Sequence, residues 1–144
     1  ALAHGCEHVL LARDDVRAHV RELTGGSGVP VVYDSVGRDT FFQSLDCLER
    51  HGLLVSFGNA SGKVEPFELQ ELTKRGSLYV TRPTLGDFIR ERADLDAASR
   101  ELFGLIERGV IKIEVNQTYA LADAATAHRE LEARRTTGST VLTP

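Results

Sequence analysis

"VVYDSVGRDT" (residues 31–40) decides the fold reading of this chain. An apolar run reaches Asp34, Ser35 and Gly37, and Asp39 or Thr40 then opens a stretch with Phe41, Leu45 and Leu48 at helical spacing. The expected local structure is a buried strand turning sharply into a helix. In an open α/β sheet such a turn lies at the carboxyl end of a strand, where ligands bind.

The pattern repeats on both sides of this stretch. Upstream, Asp14 or Asp15 can cap a helix carrying Val16, Val20 and Leu23, with Gly25 and Gly26 ending it. Residues 29–33 then read as a strand, and their continuous apolar character suits a parallel strand covered on both faces. Downstream, the helix opened by Asp39 or Thr40 is expected to stop at Gly52, and "LLVSFG" (53–58) is a second buried strand. A looser stretch with Pro66 and a short helix around Leu69 and Leu72 leads to a third strand, "SLYV" (77–80). A longer helix over residues 94–108 carries Leu95, Ala98, Leu102 and Leu105 on its inner face and ends at Gly109.

The chain then changes character. "VIKIEV" (110–115) alternates apolar and charged residues, as in a sheet with one wet face. A last helix is expected over residues 123–134 with Asp123 as its cap, and "STVLT" (139–143) is a short final strand. The fold class is therefore α/β: part of a doubly wound, Rossmann-like parallel sheet, joined by right-handed crossovers and followed by a distinct C-terminal segment. The domain reading is 1–109 and 110–144.

At 144 residues, with 42% hydrophobic and 26% charged residues, the chain suits one domain with a real core. Its net charge of −4 offers no general attraction to nucleic acid or anionic membrane. No apolar run reaches membrane-span length. The two cysteines, Cys6 and Cys47, form no disulfide framework, which favours a reducing cytoplasm. The chain has no methionine, so it is expected to be part of a longer protein.

Candidate site residues cluster at the strand ends. These are residues 34–37, residues 57–59 and residues 81–85, each mixing polar or small residues with glycine or proline, so that a ligand can approach the backbone. "GGSG" (25–28) is no phosphate loop, because it follows a helix and precedes a strand. His4, Cys6 and His8 invite a zinc reading, yet no C-x-x-C pair completes a four-ligand site, and no metal is expected. Arg134 and Arg135 end a helix, where cations favour the dipole; at a crevice, a guanidinium fork could instead grip a phosphate.

The blocks "VVYDSVGRDTFFQSLDCLERHGLLVSFGNASG", "GSLYVTRPTL" and "TGSTVLTP" resemble bacterial NADPH:quinone oxidoreductases, the zeta-crystallin-like, zinc-free branch of the medium-chain dehydrogenase/reductases. The resemblance runs over the whole chain but covers only the C-terminal part of the family's length. It implies NADP(H) as cofactor, a quinone as acceptor, and the glycine fingerprint with most of the catalytic domain upstream of Ala1. It implies that Ser35 lies by the adenosine and that Phe57, Gly58 and Asn59 line the cofactor crevice. Pro83, Thr84 and Leu85 should approach the nicotinamide half, and Arg134 the 2′-phosphate end. It also implies a homodimer formed through an edge strand at 77–83, and strands 110–115 and 139–143 that belong with the catalytic domain. In this chain those two are expected to pair with each other, pair with another chain, or be partly disordered. The rival readings are an enone or alkenal double-bond reductase and a catalytically inert dimerising module.

Overall fold

The computed structural model describes residues 1–11 and 13–144. It forms two compact units, Ala1–Asp87 and Phe88–Pro144. The first holds a parallel sheet of strands β1 (Val29–Asp34), β2 (Leu48–Ser56) and β3 (Tyr79–Thr81), in the order β1-β2-β3. Helices α1 (Val16–Leu23), α2 (Phe41–Asp46) and α3 (Gln70–Lys74) connect or precede the strands, and a single short helix, α4 (Leu85–Phe88), follows β3. The second unit contains α5 (Arg92–Glu107), β4 (Val115–Ala120), α6 (Ala124–Glu132) and β5 (Ser139–Thr143).

The core lies on one face of the first sheet. Phe41 and Leu45 from α2 meet Leu48, Leu54 and Leu78, with Val32, Phe67, Leu72 and Val80 packed around them. Along β2 the buried positions Gly52, Leu54 and Ser56 alternate with partly covered Leu53 and Val55, as the two-residue period of a strand requires. Each fully buried leucine contributes on the order of 1.5–3 kcal/mol by leaving water. The opposite face is open: Tyr33 is 73% exposed, Tyr79 63% and Val31 38%. The expectation that β1 is covered on both faces therefore fails within this chain.

Helix α1 starts where its cap residue dictates, with the Asp15 carboxylate accepting the Ala18 N–H at 3.0 Å. Arg21 then ties the helix to the sheet. Its guanidinium donates to the carbonyls of Gly26, Ser27, Asp46 and Leu48 at 2.8–3.1 Å.

Several boundaries differ from the sequence reading. Helix α2 ends at Asp46, and Leu48 pairs with Val29 as the first residue of β2. A register shift then places Val31 opposite Leu53, with His51 in a left-handed conformation (φ 61°) taking up the extra residues. Strand β3 starts at Tyr79 because Ser77 adopts φ 58° and the Leu78 N–H donates back to the Leu72 carbonyl. Helix α5 spans Arg92–Glu107 and buries none of its residues. Asp123 precedes α6 without a side-chain capping bond.

The largest correction concerns residues 110–115. Gly109 (φ 70°) closes α5, and the N–H groups of Val110 and Ile111 both turn back to the Leu105 carbonyl. That use of the backbone prevents a strand from starting at residue 110, and β4 begins at Val115. β4 pairs in parallel with β5, from Val115↔Ser139 to Ala120↔Thr143. Strand β5 itself lies where its sequence pattern put it.

Candidate functional site

The carboxyl end of β1 is organised by one carboxylate. Asp34, 4% exposed, accepts the N–H groups of Val36 and Gly37 at 2.8 and 3.0 Å. It also accepts the hydroxyls of Thr40 and Ser44, each at 2.8 Å. Burial pushes the Asp34 carboxyl up, but the bonds from Gly37, Ser44, Thr40 and Val36 outweigh it and hold the group below its ordinary value. Thr40 stands at the N-cap of α2 yet makes no capping bond, because its hydroxyl is committed to Asp34. The result is a fixed turn over residues 35–40 that opens with Ser35, beside the last strand residue.

The loop after β2 lies directly against this turn. The Phe57 N–H donates to the Asp34 carbonyl at 2.9 Å, and the Ser61 N–H and hydroxyl both donate to the Val36 carbonyl at 2.8 Å. In return, the Asp39 N–H donates to Ser61 Oγ at 3.0 Å and the Arg38 N–H to the Gly62 carbonyl at 3.2 Å. Two glycines permit this contact. A side-chain carbon on Gly58 would sit 2.1 Å from the Ser35 carbonyl oxygen, and one on Gly37 would sit 2.7 Å from the Gly62 carbonyl oxygen. Gly37 also has φ 92°, a conformation that side chains disfavour.

A second charged residue holds the other side of the loop. Arg82, one residue beyond β3, donates from Nη1 to the carbonyls of Ser56 at 2.8 Å and Gly58 at 3.0 Å. With the Asn59 amide oriented to satisfy its neighbours, Oδ1 accepts from Arg82 Nη2 at 3.2 Å and Nδ2 donates to the Gly58 carbonyl at 2.8 Å. Concave spaces flank the packed loops. One of about 520 Å³ is bordered by Leu10, Tyr33, Ser35, Val36 and Gln43. Another, of about 530 Å³, is bordered by Ser56, Asn59, Phe67, Val80 and Arg82.

Four of the residues expected at a site, Ser35, Phe57, Gly58 and Asn59, are thus brought together. Phe57 presents a ring that is 51% exposed. Pro83, Thr84 and Leu85 follow Arg82 directly at the end of β3, with Leu85 72% exposed. Arg134 lies in the second unit, just past the end of α6. It is exposed and adopts φ 57°, with its N–H on the Leu131 carbonyl at 3.0 Å. The adjacent Arg135 closes the helix, with its N–H on the Glu130 carbonyl at 2.9 Å and Nε 3.5 Å from the Glu130 carboxylate.

The sequence reading missed Asp34 and Arg82 as organisers. Asp34 carried a signal: a carboxylate one and three residues before the small Ser35 and Gly37, with hydroxyls at Thr40 and Ser44, suits an Asx-type turn. Arg82 carried none, because its partners lie 24 and 26 residues away.

Among the described residues, no group of three or more His, Cys, Asp or Glu side chains is placed to hold a metal ion. Cys6 is exposed and Cys47 buried, both as free thiols. No helix among the described residues is long and apolar enough to cross a membrane.

The chain is 59% identical over 145 residues to a quinone oxidoreductase of Pseudomonas aeruginosa, covering 100% of this chain and 45% of that protein. It is 43% identical over 142 residues to a 2-haloacrylate reductase of a Burkholderia species, covering 97% of this chain and 43% of that protein. The crystal structure of Escherichia coli quinone oxidoreductase complexed with NADPH matches with a TM-score of 0.85 at 54% identity, over 92% of this chain and 41% of that one. The chain thus spans less than half the length of the curated relatives it matches. Residues 4–142, nearly the whole chain, match the family described as zinc-binding dehydrogenase, and the chain belongs to that family.

Proposed function

We propose that this chain is the nucleotide-binding half of an NADPH:quinone oxidoreductase, with residues 1–109 contributing to the cofactor domain and residues 110–144 returning toward a catalytic domain. The observation that carries the reading is the back-to-back packing of two strand ends, 34–40 and 56–62, held by Gly58 against Ser35 at the carboxyl edge of a parallel sheet. Relatives named quinone oxidoreductase support the choice of reaction.

The donor set fits NADPH. Ser35 supplies a hydroxyl at the adenosine end, Phe57, Gly58 and Asn59 line the crevice, and Pro83, Thr84 and Leu85 approach the nicotinamide half. Arg134 supplies a guanidinium suited to a phosphate. When bound, NADPH supplies the hydride; the chain's residues hold and orient it and exclude water. No residue of this chain is assigned as a proton donor.

A homodimer through residues 77–83 belongs to the same proposal. Strand β3 is an outer strand, and its free backbone groups and exposed Tyr79 suit pairing with a second copy. A cytoplasmic setting is proposed on the free thiols. Reduction of an activated carbon–carbon double bond is the second reading, favoured by the similarity to a 2-haloacrylate reductase. The 144 residues alone are expected to be an inert, dimerising module.

The test is loss of NADPH absorbance on the full-length protein that carries this chain, with quinones and 2-haloacrylates compared at equal concentration. Faster turnover of quinones supports the first reading and faster turnover of haloacrylates the second. No turnover of either defeats both.

A further inference from the structure

The geometry points to Arg82 as the positioning residue of the proposed cofactor crevice: one guanidinium spans the carbonyls of Ser56 and Gly58 and the Asn59 amide, and so sets where Phe57, Gly58 and Asn59 stand. The inference rests on the functional reading above.

Strand β3 ends its ladder at Thr81, opposite Val55. Beyond that pair, the carbonyls of Ser56 and Gly58 have no strand on the β3 side to receive them. Arg82 is the next residue, and its side chain takes over the role of the missing backbone donors. On the opposite side, the N–H groups of Phe57 and Gly58 both donate to the Asp34 carbonyl, at 2.9 and 3.3 Å. The segment 56–58 is therefore pinned from both flanks, by β1 on one side and by a charged side chain on the other. The Phe57 ring is left to project from a fixed backbone.

This role differs from general support of the fold. Arg82 is exposed and takes no part in the cluster formed by Phe41, Leu45, Leu48, Leu54 and Leu78. Among the described residues its side-chain bonds reach Ser56, Gly58 and Asn59, all at or beside the end of β2. A lysine retains the charge but has no planar fork to meet acceptors lying side by side, so charge alone does not reproduce the clamp. Hydrogen bonds from a charged donor are the stronger class, and losing them should loosen the loop while leaving the core intact.

The test uses the full-length protein with Arg82→Lys and Arg82→Met. The readouts are amide hydrogen exchange over residues 57–62, NADPH Kd by nicotinamide fluorescence, the kcat and KM for NADPH, and the urea midpoint. Both variants should speed exchange at Gly58 and Asn59 about tenfold and raise Kd and KM about tenfold, with little change in urea midpoint. Combining Asn59→Ala with Arg82→Met should cost less than the two separate losses multiplied, because the two side chains act as a pair. Exchange and Kd both unchanged in Arg82→Met would overturn the inference, as would full rescue by lysine. If the unmodified protein binds no NADPH while Arg82→Met still speeds exchange, the clamp stands as a structural fact and the cofactor reading falls. If NADPH binds and exchange speeds but Kd does not move, the positioning role is refuted and the cofactor reading survives.

Discussion

Gly58 and Ser35 are in backbone contact: a side-chain carbon on Gly58 would lie 2.1 Å from the Ser35 carbonyl oxygen and 2.7 Å from the Ser35 Cα. Those are distances at which the two loops must part. Gly58→Ala should therefore destabilise the protein by about 1–3 kcal/mol, the range for overpacking a fixed contact. Urea unfolding of the variant beside the unmodified protein measures this. A midpoint within error of the original would show that the loop moves freely and that the packed strand ends are not a rigid site.

Asp34 should make stability depend on acid. Its carboxyl lies below its ordinary value in the folded protein because the bonds from Gly37, Ser44, Thr40 and Val36 outweigh the opposing effect of burial. A depressed folded value means the contribution is fully present above the unfolded aspartate value, about 3.9, and is lost as pH falls through the folded value. Asp34→Asn keeps an acceptor for the turn but replaces the one used by Thr40 and Ser44 with a donor. It should cost about 1–3 kcal/mol at pH 7, and the gap from the unmodified protein should narrow in acid. Urea midpoints across a pH series test this; a gap that stays constant down to pH 2 would contradict the assigned charge state.

Arg134 should trade stability against binding. Its backbone sits at φ 57°, where a non-glycine residue carries a cost of roughly 1–2 kcal/mol. Arg134→Gly relieves that cost and should leave the full-length protein as stable or up to about 1 kcal/mol more stable. If the arginine is retained for the 2′-phosphate, the same change should weaken NADPH binding at least tenfold and NADH binding little. Melting curves together with the two dissociation constants decide the matter. Equal loss for both nucleotides would remove the phosphate role.

Arg21 provides a purely structural control. One guanidinium serves four backbone carbonyls, joining the end of α1 to the start of β2. Arg21→Met should remove its bonds to the part-buried carbonyls of Asp46 and Leu48 and lower stability by about 2–3 kcal/mol. The NADPH Kd, measured well below the new midpoint, should stay within twofold. A large change in Kd with no loss of stability would reverse the assignment.

The local alphabet of the chain was enough to find α1, α2, α3, α5, α6 and the strands β1, β2, β3 and β5 by type, because hydrophobic period and turn chemistry act over a few residues; it gave no sign of α4 and put β4 too early, at 110–115. Val16, Val20 and Leu23 announce α1 with Asp14 or Asp15 as its cap, of which the fold uses Asp15, and "STVLT" matches β5 residue for residue. The three strand ends were also readable, since glycine, proline and small polar residues mark turns wherever the chain goes next.

Partners distant in sequence determined the rest. Leu48 leaves the helix because Val29 offers it a strand, and Val115 starts β4 because Gly109 and the carbonyl of Leu105 consume the backbone of Val110 and Ile111. Arg82 gained its role only when β3 came alongside β2 and brought the guanidinium to carbonyls 24 and 26 residues upstream. Periodicity records which side chains seek the core. Which carbonyl meets which donor depends on how the strands are laid side by side, and no short stretch of sequence contains that.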